Sequence, residues 1–356
     1  MTTDTILTNA QLVLRDEVVH GTIVIRGERI IEVQPGRSHL AAAQDLGGEH
    51  LIPGIVDVHT DNLERQVQPR ANARWPSRSA MLAHDTQTIA AGVTTVLDAL
   101  CLGDLGFDAG RTKTFLDGVA DLDALAPTGL LKSEHFLHLR CELPAADMPD
   151  LVEPVADHPL VRMVSLMDHS PGVGQYRDIA RYRQMRVKQL NMAPADVDRR
   201  IGELLEQRER LREKQRRWLL DRVRHRNLPL ASHDDDSAEQ VARNAADGIM
   251  ISEFPVVMEA AQEAKRLGVA VIAGAPNIVR GGSHSGNVAA ADLVRAGAVD
   301  VLASDYVPPA MVEAAWLSAA SGAITLPQAV GMITDAAARM AGLADRGRIE
   351  AGLRAD

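Results

Sequence analysis

Ionisable side chains recur at one kind of place in this sequence, the C-terminal ends of short aliphatic runs. The run LIPGIVDV leads into His59-Thr60-Asp61, whose first and third members project to the same side of an extended strand. HFLHLRCE ends on Glu142, VRMVSLM is followed by Asp168 and His169, LPLAS by His233, and VDVLAS by Asp305. Any one of these is more often a satisfied polar residue, a turn-capping carboxylate or a packed histidine, than a ligand. Their convergence on one rim is what a metal would explain. His59, Asp61, Glu142, His169, His233 and Asp305 are therefore the expected ligands of a divalent ion. One or two Zn²⁺ are expected, and Mn²⁺ or Fe²⁺ is compatible with the same donors. Such an ion makes its bound water acidic enough to react near neutral pH. Asp305, at the tip of the last run, is the expected catalytic base.

The elements that must bring these residues together are legible as repetition. Eight aliphatic runs, at 51–58, 93–100, 135–142, 161–167, 228–232, 249–254, 269–275 and 299–304, alternate with stretches of helical composition. SRSAMLAHDTQTIAAG, VVMEAAQEAKRLG and NVAAADLVRAG each close on Gly before the next run, as a helix C-cap would. Eight strand–helix units predict a (β/α)₈ TIM barrel, whose active face lies at the strand C-termini. An open doubly wound sheet is the alternative. Residues 1–50, with TILTNAQLVL, GTIVIRG and RIIEVQPG, read as part of a small flanking β-sandwich unit. Residues 51–345 form the barrel. Residues 346–356 begin a returning strand of the small unit and stop at Asp356, which leaves its completion open.

One segment breaks the pattern. Residues 176–226, between the fourth and fifth runs, form a basic helical insertion. Positions 177–226 hold sixteen Lys/Arg against eight Asp/Glu, in a chain whose net charge is −10. Ile201, Leu204, Leu205, Leu211, Leu219 and Leu220 give it an amphipathic character. It reads either as a solvated helix pair or as an electropositive lid that draws in a polyanion. A second conspicuous segment, GAPNIVRGGSHSGNV at 274–288, is a Gly-rich loop leading into a helix. It is either an anion site or a turn-rich flexible loop. In it Asn277, Arg280 and His284 could bind substrate. After the first run Asn62, Arg70 and His84 could also reach substrate, while Trp75 and Pro76 are expected to pack.

Composition bounds the classes. Of 356 residues 46% are apolar and 24% charged, as in globular proteins. Aromatics are only 3%, so the core must be aliphatic. The acidic balance argues against nucleic acid as a partner. No apolar stretch nears the ~20 residues of a membrane span, and the N-terminus lacks a signal core. Cys101 and Cys141 alone make no disulfide framework. The expectation is a cytoplasmic enzyme without membrane contact, and a homo-oligomer is compatible with it.

LIPGIVDVHTDNLE, SRSAMLAHD, GVTTVLDAL, HLRCELP, VSLMDHSPG, ASHDD, GAPNIVRGGSHSGN and SDY stand in the order found in the α-D-ribose 1-methylphosphonate 5-triphosphate diphosphatases. The chain resembles that family from about residue 6 to its end. The family is amidohydrolase-like and belongs to the carbon–phosphorus lyase route of phosphonate use. The resemblance implies release of diphosphate from a phosphorylated sugar carrying a 1-phosphonate. It also implies a small composite sandwich flanking the barrel. The wider superfamily opens with His-x-His and draws later histidines from strands five and six. Here His59-Thr60-Asp61 opens the site, a change that the diphosphatases share, and His169 and His233 leave runs four and five. The alternatives are an amidohydrolase acting on a cyclic amide or N-acyl substrate at the same metal, and a catalytically dead scaffold.

Overall fold

The computed structural model describes residues 4–70, 73–106, 110–283 and 286–356. Alternating Thr, Val and Ile residues build the first strands, β1 (Asp4–Val13), β2 (Val18–Arg26) and β3 (Arg29–Pro35), and short β4 (Ala43–Asp45) and β5 (His50–Leu51) follow. They form one sheet in the order β3-β2-β1-β4, with β5 also on β1. The small flanking unit is a five-stranded sheet in the described residues. Residues near Asp356 pair with the start of β3, where Arg354 forms an antiparallel bridge to Arg29. Ile30 N donates to Leu353 O and Ala355 N to Glu28 O, so the tail runs along the β3 edge and covers its open backbone groups. Ala10, Leu12, Ile23, Ile30 and Ile349 close over one another beneath this sheet.

All eight aliphatic runs become parallel strands: β6 (Ile55–Thr60), β7 (Val93–Leu102), β8 (Glu134–Glu142), β9 (Val161–Met167), β10 (Leu230–His233), β11 (Ile251–Glu253), β12 (Ala270–Gly274) and β13 (Val301–Ala303). Each pairs with its sequence neighbour, from β6 through to β13. A parallel bridge between Thr60 and Asp305 joins the two ends, which rules out the open doubly wound sheet. Two backbone bonds make that closure, Asp61 N to Asp305 O at 2.5 Å and Asp305 N to His59 O at 3.0 Å. The residues that close the barrel are therefore candidate ligands. Val56, Val58, Leu97, Phe136, Met163, Ile251, Ile272 and Val301 fill its interior below them. Aliphatic side chains of this size fill an eight-stranded barrel and leave the polar groups to its upper rim.

The excursion after β9 is a helix pair, Ile179–Leu190 and Pro194–Val223. Asp178 caps the first by accepting from Arg181 N, and Asn191 ends it with φ 51°. Pro194 opens the second, where its missing N–H costs nothing. Val197, Ile201, Leu204, Leu219 and Val223 are its buried stripe, whereas Leu205 turns to solvent. Much of its positive charge docks it to the barrel. Arg208 and Arg212 both reach Asp168 Oδ2, at 2.7 and 2.9 Å, Arg216 holds Asn244, and Arg222 holds Glu153 and Asp157. Asp168 is thus an anchor for the insertion. Trp75, expected to pack, is 55% exposed on the loop before the helix Ser77–Ala90, and Pro76 is exposed beside it.

Candidate metal centre and active-site cavity

Two groups of donors meet on the upper rim. In one, His59, Asp61 and Asp305 bring a nitrogen and two carboxylate oxygens within 4.8 Å of one another. In the other, His169, His233 and Asp234 bring two nitrogens and one carboxylate oxygen equally close. The groups are neighbours, since the His59 and His233 rings lie 6.0 Å apart and the His169 and His233 rings 5.2 Å apart. β6 and the end of β13 supply the first group, and the ends of β9 and β10 the second. His169 and His233 therefore leave barrel strands four and five, as the run count gives, and not five and six.

The unpaired atoms show what the site is built to hold. His59 Nε2, both ring nitrogens of His233 and Asp234 Oδ2 are buried without a hydrogen-bond partner. A buried polar atom left unpaired costs about 1–3 kcal/mol. Several on one rim, all of metal-ligating type, fit a divalent ion. The other sides of the imidazoles are fixed. His59 Nδ1 lies 2.7 Å from Glu253 Oε1, which directs Nε2 toward Asp61 and Asp305. His169 Nδ1 lies 2.7 Å from Glu142 Oε2, and His169 N donates to Glu142 Oε1 at 2.8 Å. Carboxylates behind histidines in this manner set the tautomer of a metal ligand. Glu142, expected as a ligand, joins neither group. Both its oxygens are engaged by His169, so it holds that ring.

Left-handed backbone marks the rim as well. Asp234 (φ 57°), Phe254 (φ 54°) and Asp305 (φ 55°) each lie within two residues of a strand end.

Charge is distributed to match. Burial opposes ionisation of Asp61, yet the Arg140 guanidinium paired with it holds the carboxyl well below its usual range. Burial and then the neighbouring Asp61 push Asp305 up to about 7. Burial alone would lower the His59 pKa, but Glu253 and Asp61 raise it to about 10 in the metal-free chain. Behind this ring burial takes His138 down to about 4, and Ser165 Oγ bridges it to Glu253.

Above the two groups lies a cavity of about 850 Å³. Its walls include Arg111, Arg140, Tyr176, Asn277, Arg280 and Asp305. Asn277 is there, but its Oδ1 accepts from Ala290 N and so occupies the helix end that the Gly-rich loop was expected to offer to an anion. His284 lies outside the described residues. The other three expected substrate contacts are elsewhere. Asn62 and His84 are fully buried and bonded to each other at 2.9 Å, and His84 Nε2 lies 2.7 Å from Asp98 on the outer face of β7. They tie the helix Ser77–Ala90 to the barrel wall. Arg70 is exposed on a loop bridge with Ala73, away from the cavity.

Asp234, Glu253 and Arg140 were not assigned roles from sequence. Glu253 ends the sixth run and carries the signal that found the other ligands. Asp234 follows His233 directly, within a stretch of three aspartates. Glu253→Gln is expected to lower metal affinity about 10–100-fold with the fold intact, measured by competition with a chelator. Unchanged affinity would remove Glu253 from the site.

No protein-family model matches the sequence. The α-D-ribose 1-methylphosphonate 5-triphosphate diphosphatase of Escherichia coli (strain K12) is 40% identical over 353 residues, covering 99% of this chain and 93% of that protein. Among solved structures, N-acetyl-D-glucosamine-6-phosphate deacetylase from Mycobacterium smegmatis superposes with a TM-score of 0.62 at 15% identity, covering 99% of this chain and 94% of the other. N-isopropylammelide isopropylaminohydrolase from Burkholderia multivorans ATCC 17616 gives 0.59 at 20% identity, covering 99% and 90%. These structural likenesses establish a shared fold.

Proposed function

Because this chain belongs to the α-D-ribose 1-methylphosphonate 5-triphosphate diphosphatase family, we propose that it hydrolyses that triphosphate to the 5-phosphate and diphosphate during phosphonate catabolism. The observation that carries this reading is 40% identity along 99% of the chain, joined to a rim of buried, unpartnered ligand atoms. One water is consumed, one phosphoanhydride bond is broken, and diphosphate leaves.

His59, Asp61 and Asp305 would hold one divalent ion, and His169, His233 and Asp234 a second. Mixed imidazole and carboxylate donors favour Zn²⁺, with Mn²⁺ and Fe²⁺ compatible. When bound, such ions polarise a phosphoryl oxygen and acidify water. Asp305, on the rim within the first donor group, would take the proton of the attacking water at its Oδ atoms. Arg140 holds Asp61 ionised and in place, while Arg111 on the same wall offsets charge that develops on the phosphate oxygens. Glu253 and Glu142 keep the imidazoles turned inward. Cys101 and Cys141 are both buried and unpaired, which agrees with a reducing cytoplasm.

The test is diphosphate release from ribose 5-triphosphate compounds by metal-loaded protein, run beside hydantoin and dihydroorotate hydrolysis. Release of diphosphate with no amide hydrolysis is expected. Amide hydrolysis without diphosphate release would replace the proposal with an amidohydrolase of other specificity.

A further inference from the structure

The metal groups lie at the floor of the cavity, with Arg111 and Arg140 beside them. Further cations line the same cavity. Met185, Arg186, Lys188 and Gln189 of the first insertion helix line the cavity together with Arg280 and Ser283 of the loop after β12. The two segments meet: a Cβ placed on Gly286 would lie 3.1 Å from Arg181 Nη1. The helix is also held relative to the metal floor by a run of rings. Tyr176 packs edge-on against His169 at 6.0 Å and against Tyr182 at 5.0 Å, and the Arg186 guanidinium lies over the Tyr182 ring at 5.0 Å. Tyr182 is buried at 2% exposure, so the helix is pinned by its centre while its polar side faces the cavity.

The long insertion helix spends much of its charge on docking to the barrel. Lys188 and Arg280 do not: both are exposed, both line the cavity, and neither forms an ion pair with a described residue. Two uncommitted cations on separate segments lining one cavity suit a ligand that carries two adjacent anionic groups.

We infer that Lys188 and Arg280, with Arg186 beside them, form a subsite for the two distal phosphates of the substrate, so that the insertion selects the length of the phosphate chain. This rests on the diphosphatase reading and adds to it a leaving-group site distinct from the metal floor. The scissile phosphorus lies over the metal groups, and the departing diphosphate is held by the insertion helix and the β12 loop. Their contribution is electrostatic and charge-assisted, and Arg at 280 can engage a phosphate with two N–H groups at once.

The experiment uses metal-loaded wild-type protein, Lys188→Gln, Arg280→Gln and the double variant. Each is assayed on ribose 5-triphosphate and ribose 5-diphosphate, and each is titrated with inorganic pyrophosphate and with inorganic phosphate. Both residues are exposed and outside the metal groups, so metal content and folding should be unchanged. Each single variant should lose roughly tenfold, and the double variant roughly 10²-fold, in the triphosphate-over-diphosphate ratio of kcat/KM. Pyrophosphate binding should weaken by a similar factor, with phosphate binding shifted less than about threefold. Ratios and pyrophosphate affinities within about threefold of wild type in the double variant would overturn the subsite. Because pyrophosphate binding is read by calorimetry without turnover, the subsite can fail while diphosphatase activity stands, and the reverse.

Discussion

Asp305→Asn is expected to leave the protein folded and metal-loaded while lowering turnover about 10³-fold, the scale of a lost general base. The replacement keeps an oxygen toward the first donor group but cannot accept a proton. Metal analysis and steady-state rates on the same preparation check this, and a full rate would remove Asp305 as the base. The variant also has a signature in the metal-free protein. Burial and Asp61 raise the Asp305 pKa to about 7, well above its unfolded value. The folded chain then keeps a proton that the unfolded chain has released, so stability falls as pH rises from about 4 through 7. Asp305→Asn abolishes that loss. Between pH 5 and pH 8 the metal-free wild type should lose about 2 kcal/mol relative to the variant, read from thermal midpoints. A parallel pH dependence in both proteins would refute the assignment.

His233→Leu is expected to have the larger effect on activity and the opposite effect on the metal-free fold. Both His233 nitrogens are buried without partners. Without metal the native chain therefore carries a cost of about 1–3 kcal/mol that Leu does not incur. The metal-free variant should be as stable as wild type or more so. Its metal affinity should fall about 10²-fold or more, and its turnover about 10⁴-fold, since several kcal/mol of transition-state stabilisation depend on the ion. Stabilisation by added metal should vanish with it. If metal still raised the thermal midpoint of His233→Leu as much as that of wild type, the second donor group would not be a ligand set.

The barrel was legible because each strand is a short, strongly aliphatic run with a polar tip. Patterning of that kind survives without knowledge of contacts. Loop placement did not read as well. Asn62 follows a ligand in sequence, but a six-residue helix turns it inward onto His84 and away from the cavity. His84 in turn is claimed by Asp98 on the outer face of β7, a partner that only the docking angle of the helix Ser77–Ala90 reveals. Glu142 carried the signal of a ligand, yet a hydrogen bond from His169 decides which of the two faces an ion. The insertion's excess charge was visible. Its division between docking through Arg208, Arg212 and Arg216 and the cavity wall through Lys188 depends on which helix side meets Asp168 and Asn244.

The central claim is that donors from separate strands trap a divalent ion which makes water reactive toward a phosphoanhydride. The most direct measurement follows diphosphate release from ribose 5-triphosphate while bound metal is stripped with a chelator and then restored. Release should fall to background as metal is removed and recover in proportion to the metal rebound. Undiminished release from protein shown by elemental analysis to be metal-free would contradict it.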